Sequence, residues 1–194
     1  MSIHDEIIAR IDEGRLFPLD PTLPGTPVRR PVFVSPDLHQ KLLGPWTDDD
    51  LDESRWIELR ADIDTFISGG RVSVGPHGYL SHLKPYEEVW EIRSINPRPS
   101  VRVFCRFADT DTLIAHTVRA RKPLAGEKSI EWGQAIRDCK ATWRALFPAY
   151  NPHFGDSISA YISEHVDLVW PFGRTLVAAW EVRIFQATVE KSAL

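Results

Sequence analysis

The stretch EVWEIRSINPRPSVRVFCRF, residues 88 to 107, carries four arginines in a chain whose formal net charge is -4. Two runs of strand-forming residues flank its proline-containing centre, so we predict two strands joined by a tight connection. Guanidinium groups bind phosphates and carboxylates through parallel N–H donors and keep their charge at physiological pH. The arginines of the two strands are therefore the first candidates for chemistry: Arg93, Arg102 and Arg106.

Strand alternation gives these arginines a common face, because successive side chains point to opposite sides of a strand. On the predicted strand 100–107, Arg102 and Arg106 share a face with Phe104. On a third predicted strand, 112–121, Arg119 and Arg121 join this face, and Lys122 follows just past its end. We expect an exposed sheet surface rich in guanidinium groups.

Two interpretations of this surface stay open. Arginines around an aromatic ring are suited to pairing with phosphates and stacking on a base. Alternatively, the arginines form cross-strand pairs with Glu91 and nearby acids on an ordinary solvated face.

His116 is a candidate proton-transfer group, because the unperturbed pKa of histidine lies near neutrality. Strict alternation places it on the apolar face of its strand, with Ile114, Val118 and Ala120. A core histidine is then the simpler interpretation, although a β-bulge would reverse its direction.

The surrounding elements predict an α+β fold with a small antiparallel sheet packed with helices. Helical spacing marks 2–14 with Ser2 as N-cap, 51–70, and 129–148 with Ser129 as N-cap. A helix near 157–169 is also predicted, and 32–35 is a further strand. The apolar segment 175–189 fits a helix or a strand, and we favour a helix because Ala, Glu and Gln interrupt its β-branched run. The connections between the strands of 89–121 are too short for crossover helices, which predicts an antiparallel meander.

Composition narrows the class of protein. Hydrophobic residues make up 43% of the 194, and charged residues 26%, as in folded water-soluble domains. No segment has the length and apolarity of a membrane span, and the first residues lack a secretory pattern, so we expect a cytoplasmic protein without membrane contact. Neither of the two cysteines lies in a metal-ligand pattern, so we expect no metal and no cofactor.

The order strand, helix, meander, helix, together with HLKPYEEVWEIRS, RPSVRVFCRF and LIAHTVRARK, resembles toxins of the RelE/ParE superfamily, especially the HigB-like, phage-derived branch. The likeness covers roughly residues 31 to 147. It implies a RelE/HigB-like domain over 31–148, preceded by a helix and proline-rich arm in 1–30 and followed by a helical C-terminal extension, 149–194, on the same domain.

The resemblance also implies a function. Such toxins are mostly metal-independent endoribonucleases that cut mRNA, often on the ribosome, and are silenced by a cognate antitoxin. Attack of the ribose 2′-OH on the neighbouring phosphate builds negative charge that fixed guanidinium groups stabilise. By position in the motifs, the catalytic candidates are Arg93, Arg102 and His116. The RNA-binding candidates are Lys84, Arg106, Arg119, Arg121 and Lys122.

Two features depart from the family: this chain is acidic, and it is about twice the usual length. Its charge is uneven, at -6 for residues 1–78, +3 for 79–128 and -1 for 129–194. A non-catalytic module that binds protein or nucleic acid on the same scaffold is therefore the main alternative, and poisoning of DNA gyrase is a third.

Overall fold

The computed structural model describes residues 2–44, 53–83, 86–96, 98–121 and 129–168. Its elements, in chain order, are α1 (Ile3–Asp12), β1 (Phe17–Pro18), β2 (Val32–Val34), α2 (Pro36–Leu43), α3 (Glu53–Ile67), β3 (Val72–Val74), β4 (Leu80–His82), β5 (Trp90–Ser94), β6 (Val101–Asp109), β7 (Thr112–Ala120), α4 (Ile130–Leu146), α5 (Ile158–Tyr161) and β8 (Val166–Leu168). The predicted α+β class is confirmed.

Local sequence sets the starts of the helices. The hydroxyl of Ser2 accepts the backbone N–H of Asp5 at 3.2 Å, and the Asp5 carboxylate accepts the backbone N–H of Ser2 at 2.7 Å. Ser129 likewise accepts the backbone N–H of Trp132 at 3.0 Å. Both predicted N-caps are confirmed, and each satisfies a donor that the first helical turn leaves unpaired. Among the helices described, none has the length and apolarity needed to cross a bilayer.

The described strands form one sheet in the order β1-β2-β7-β6-β5-β4-β3-β8. The predicted meander is confirmed, since β5, β6 and β7 pair antiparallel. The expectation of a small antiparallel sheet is wrong, because the sheet is larger and mixed. β2 pairs parallel with β7, and β3 pairs parallel with both β4 and β8. Short flanking segments that carry no strong alternation extend the meander on both sides.

Helices cover both faces of the meander. One face carries the main core, in which Val103, Cys105 and Phe107 pack with α2 and α3. On the other face, α4 packs into two hydrophobic clusters. Trp132 and Ile136 belong to the first cluster. Trp143 and Leu146 belong to the second, together with Ile7 of α1. The sheet is therefore buried on both sides, which decides the environment of the arginines.

The C-terminal part of the described chain differs from the prediction of a helix over 157–169. The helix α5 has four residues, Ile162 then adopts an extended conformation (φ -136°, ψ 115°), and β8 pairs with β3 and becomes the last strand at this edge of the sheet. The β-branched residues Ile162 and Val166 favour extended backbone where a strand edge offers backbone partners. The segment 175–189 lies outside the described residues. The proposed division at residues 30 and 148 stays a prediction.

Candidate nucleic-acid interface

Three arginines lie side by side across the meander. Arg93 on β5 is the register partner of Arg102 on β6, and Arg102 is the partner of Arg119 on β7. Register partners on neighbouring antiparallel strands point to the same face. Arg121 follows at the same end of the sheet, where its backbone N–H donates to the carbonyl of Ser100 at 2.7 Å. The predicted common face of these arginines therefore exists.

A β-bulge on β7 reverses the predicted direction of His116. Phe104 pairs with Thr117 and Cys105 pairs with Ala115, which leaves His116 as the extra residue. Alternation restarts after the bulge, so Val118 faces the main core while Ile114 and His116 face α4. The expectation that Ile114 and His116 share a face with Val118 and Ala120 is wrong for this reason.

The expectation of an exposed arginine surface is also wrong, because α4 lies across the face. Phe104 meets the Trp132 ring edge-on at 5.6 Å, and the Arg106 guanidinium lies over the Trp143 ring, 5.4 Å from its centroid. Arg102 is 9% exposed and Arg106 is 4% exposed. Burying charged groups costs free energy unless each is paired or hydrogen-bonded, so their partners matter.

Glu91 is the partner of two of these arginines, and it is fully buried. Its Oε1 is 2.5 Å from Nε of Arg93, and its Oε2 is 3.3 Å from Nε of Arg102. Arg93 also donates to the carbonyl of Pro76. The alternative interpretation of a cross-strand pair with Glu91 is therefore correct for Arg102, whereas Arg93 pairs with Glu91 along the same strand, and both pairs are buried rather than solvated.

Arg106 has a different environment. Its guanidinium donates to the backbone carbonyls of Glu87 and Glu88, both of which have left-handed backbone conformations. Burial is the main cause that lowers the pKa of Arg106 from its ordinary value. These contacts give Arg106 a role in holding the turn before β5, and they direct it away from the row of Arg93, Arg102 and Arg119.

In the described part of the chain, one carboxylate and three guanidiniums act on Arg102. Burial lowers its pKa, Glu91 raises it, and the guanidiniums of Arg93, Arg121 and Arg55 lower it further. Its Nη1 donates to the carbonyl of Val101 at 2.9 Å, and its Nε has no hydrogen bond of good geometry within the described part of the chain. We call Arg55, Arg93, Arg102, Arg119 and Arg121 the arginine cluster. At its centre lies Arg102, a nearly buried guanidinium that forms an ion pair with Glu91.

Arg55 was not among the sequence candidates. It lies in the first turn of α3, is fully buried, and donates from Nη1 to the carbonyl of Asn96 at 2.9 Å. The sequence feature that could have identified Arg55 is its position next to Trp56, on the apolar stripe of the predicted helix. A charged residue in the buried stripe of a helix requires a specific partner.

Two members of the cluster, Arg119 and Arg121, have side chains that are accessible at the protein surface, which we call the outer side of the cluster. The Arg119 side chain is 46% exposed, and its Nη2 lies 3.5 Å from Oδ2 of Asp138 on α4. Arg121 is half-buried, with its guanidinium 5.5 Å from the centroid of the Trp132 ring. An exposed pair such as Arg119 and Asp138 is weak, so Arg119 can exchange this partner for a ligand at little cost. Lys84 and Lys122 lie outside the described residues.

His116 is 5% exposed and meets the Trp143 ring edge-on at 6.4 Å. Burial, assisted by the positive charge of Arg106, lowers its pKa to about 3. In the described ranges, neither ring nitrogen has a hydrogen-bond partner. A buried, neutral imidazole between Arg106 and Trp143 does not support the proton-transfer role that we predicted for it.

Within the described ranges, no three His, Cys, Asp or Glu side chains converge as metal ligands. The arrangement can bind an anion at the surface of the arginine cluster, where the Arg119 side chain is exposed and Arg121 is half-buried. No protein-family model, curated protein or solved structure matches the chain.

Proposed function

We propose that this chain binds RNA through the arginine cluster, as a non-catalytic member of the RelE/ParE-like toxins. The observation that carries the proposal is the environment of Arg102 in the described residues, where three further guanidiniums act on it and one carboxylate, Glu91, compensates. Such an excess of positive charge is suited to a phosphate group, which supplies the missing negative charge and accepts several N–H donors at once.

The kind of contact follows from the accessible groups. Arg119 and Arg121 reach the outer side, whereas the aromatic rings beside them, Phe104 and Trp132, are buried. Phosphate contacts therefore dominate over base stacking, and binding is expected to depend little on RNA sequence and strongly on salt. The proposed partners are mRNA, free or on the ribosome, and an antitoxin-like protein that competes for the same arginines, all in the cytoplasm.

A second candidate function is cleavage of RNA. The row formed by Arg93, Arg102 and Arg119 supports it, because guanidiniums alone can stabilise the charge that develops when the 2′-OH attacks phosphorus. In that reaction the 2′-oxygen bonds to phosphorus and the 5′-oxygen leaves, which gives a 2′,3′-cyclic phosphate and a new 5′-OH end. The buried position of His116 leaves the required proton transfers without an evident donor in the described part of the chain, so we place cleavage second.

The test is a titration of a 5′-labelled single-stranded RNA, followed by fluorescence anisotropy at several salt concentrations. Wild type is compared with the double variant Arg119→Gln/Arg121→Gln and with Arg137→Gln, an exposed arginine of α4 that donates to Gln134. Loss of two phosphate contacts should weaken binding on the order of tenfold and reduce the slope of log K against log salt by about 1.4. The Arg137→Gln variant should bind like wild type.

The same samples distinguish the two candidate functions, since they are also run on a denaturing gel. Intact RNA with salt-dependent binding is the expected result. Shortened labelled fragments that end in a 2′,3′-cyclic phosphate and that vanish in Arg102→Gln would place cleavage first. If folded wild type shows no salt-dependent binding, or if the double variant binds like wild type, the RNA-binding proposal is overturned.

A further inference from the structure

Glu91 has an unusual position within the arginine cluster. It lies on β5 two residues before Arg93 and therefore on the same face, diagonally opposite Arg102 on β6. Its two oxygens each take a different arginine, with Oε1 at 2.5 Å from Nε of Arg93 and Oε2 at 3.3 Å from Nε of Arg102. Glu91 thus accepts a hydrogen bond from Arg93 and places its second oxygen beside Arg102 as an ion pair that lacks hydrogen-bond geometry within the described residues. A phosphate group beside the two guanidiniums would supply the same kind of negatively charged oxygens.

The surroundings prevent Glu91 from leaving this place. It is fully buried, its register partner Phe104 packs against Trp132 of α4, and its register partner on β4 is the buried Ser81. An ionised carboxylate in such surroundings is stable only while its cationic partners stay close. Arg93 and Arg102 are therefore held toward Glu91, and an external anion must compete with it for their donors.

We infer that Glu91 is a built-in counter-anion of the arginine cluster, which neutralises Arg93 and Arg102 and so limits how tightly the cluster binds phosphate groups. This inference rests on the proposed anion-binding role of the cluster. It adds that Glu91 sets the affinity of the cluster for phosphate groups. The outer arginines, Arg119 and Arg121, make the first contacts with the ligand, and Glu91 determines how much of the positive charge of Arg102 is left for it.

A counter-anion role and a purely structural role of Glu91 predict opposite changes in phosphate affinity when the carboxylate is removed. If Glu91 only positions the arginines, its removal weakens binding; if it competes, its removal strengthens binding while the fold becomes less stable. The decisive variant is Glu91→Gln, which keeps the size of the side chain and removes its charge. Glu13→Gln is the matched control, because it makes the same change in net charge on the Arg10 and Arg15 pairs of the α1 end, far along the chain from the cluster.

Two probes are used, the labelled RNA described above and inorganic pyrophosphate, whose binding is measured by calorimetry and by the increase in melting temperature. For Glu91→Gln we expect a lower melting temperature without ligand, a larger increase with pyrophosphate than in wild type, and RNA binding on the order of fivefold tighter, because Arg102 gains a phosphate contact. Glu13→Gln should match wild type on every measure.

A second variant covers the case in which Glu91→Gln does not fold. The pair Glu91→Gln/Arg93→Gln leaves the net charge unchanged and still releases Arg102, so tighter pyrophosphate binding in this variant also supports a local counter-anion. Binding equal to or weaker than wild type in the folded variants would overturn the inference, even where wild type binds RNA as proposed. Conversely, tighter pyrophosphate binding without RNA binding in any variant would uphold the inference and overturn the proposed RNA function.

Discussion

Oε2 of Glu91 lies 3.3 Å from Nε of Arg102 between β6 and α4, where the carboxylate is fully buried and the guanidinium nearly so. The two groups compensate each other in surroundings that would otherwise exclude either charge. The stability of the meander and the charge of the proposed interface therefore depend on the same pair.

This dependence predicts strong coupling between the two residues. Glu91→Leu is expected to lower the free energy of unfolding by about 3–5 kcal/mol, because it removes a carboxylate that two buried guanidiniums share. Arg102→Met should lower it by less, because Glu91 keeps its contact with Arg93. The double variant should lower the free energy of unfolding by clearly less than the sum of the losses in the two single variants, with a coupling energy of at least about 1 kcal/mol. Urea denaturation of the four proteins measures the cycle, and strict additivity would show that the pair does not interact.

The lowered pKa of the buried His116 predicts that the protein loses stability in acid. Its pKa is about 3 in the folded chain, against an ordinary value of 6.5, so the unfolded chain takes up a proton below pH 6.5 while the folded chain does not. Stability is therefore full above pH 6.5 and falls as the pH drops toward 3. Between pH 7 and pH 5 the loss from this residue is on the order of 2 kcal/mol.

Denaturation curves of His116→Leu and His77→Leu at both pH values isolate this contribution. His77 is exposed, so its replacement should leave the pH dependence of wild type unchanged. His116→Leu should lose most of the difference between pH 7 and pH 5. An unchanged pH dependence in His116→Leu would mean that another group causes the acid sensitivity.

Gly69 is predicted to resist substitution for two reasons. Its φ is +79°, and a Cβ at this position would lie 2.6 Å from Cδ of Arg29. Gly25 has a similar φ of +81° but open space around it, which makes Gly25→Ala the matched control. We expect Gly25→Ala to lower the free energy of unfolding by about 1–2 kcal/mol, because of the backbone conformation alone, and Gly69→Ala to lower it by more.

The contact with Arg29 can be tested separately by making Gly69→Ala in an Arg29→Ala background. Part of the additional cost should then disappear, because the clashing side-chain atoms beyond Cβ are removed. Thermal or urea denaturation of the set measures this. Equal losses at Gly69 and Gly25 in the wild-type background would contradict the steric argument.

Tyr161 joins the C-terminal part of the described chain to the turn before β5. Its hydroxyl donates to Oε2 of Glu88 at 2.5 Å and accepts the backbone N–H of Gly155 at 2.9 Å, and burial with the Glu88 contact raises its pKa to about 12. Tyr161→Phe should lower the free energy of unfolding by about 1–2 kcal/mol, since Glu88 and the amide of Gly155, both half-buried, each lose one hydrogen bond.

Hydrogen exchange should show where the effect of Tyr161→Phe lies. We expect faster exchange at the amides of residues 153–166, with little change in β6 and β7, which the meander holds independently. Phe154→Ala is the control, because that ring is 71% exposed. Uniform acceleration over the whole sheet would show that Tyr161 supports global stability instead of this segment.

The sequence predicted those features that depend on neighbouring residues along the chain. The N-caps Ser2 and Ser129, the apolar stripe of α3 and the antiparallel meander all follow from backbone geometry and spacing, and they are confirmed. Alternation also predicted that Arg93, Arg102 and Arg119 share a face. These properties are local, because the direction of a side chain in a regular strand or helix is fixed by its own backbone.

Only the tertiary structure decided the environment of that face. The apolar stripe of α4 was visible in the sequence, but which sheet surface it covers depends on the packing of the whole chain, and it covers the arginines. The bulge at His116 also depends on the register with β6, which no spacing within β7 reveals. Exposure and charge compensation are properties of the packed molecule, and for this reason Glu91 emerged as the partner of Arg102 only once the strands and α4 were in place.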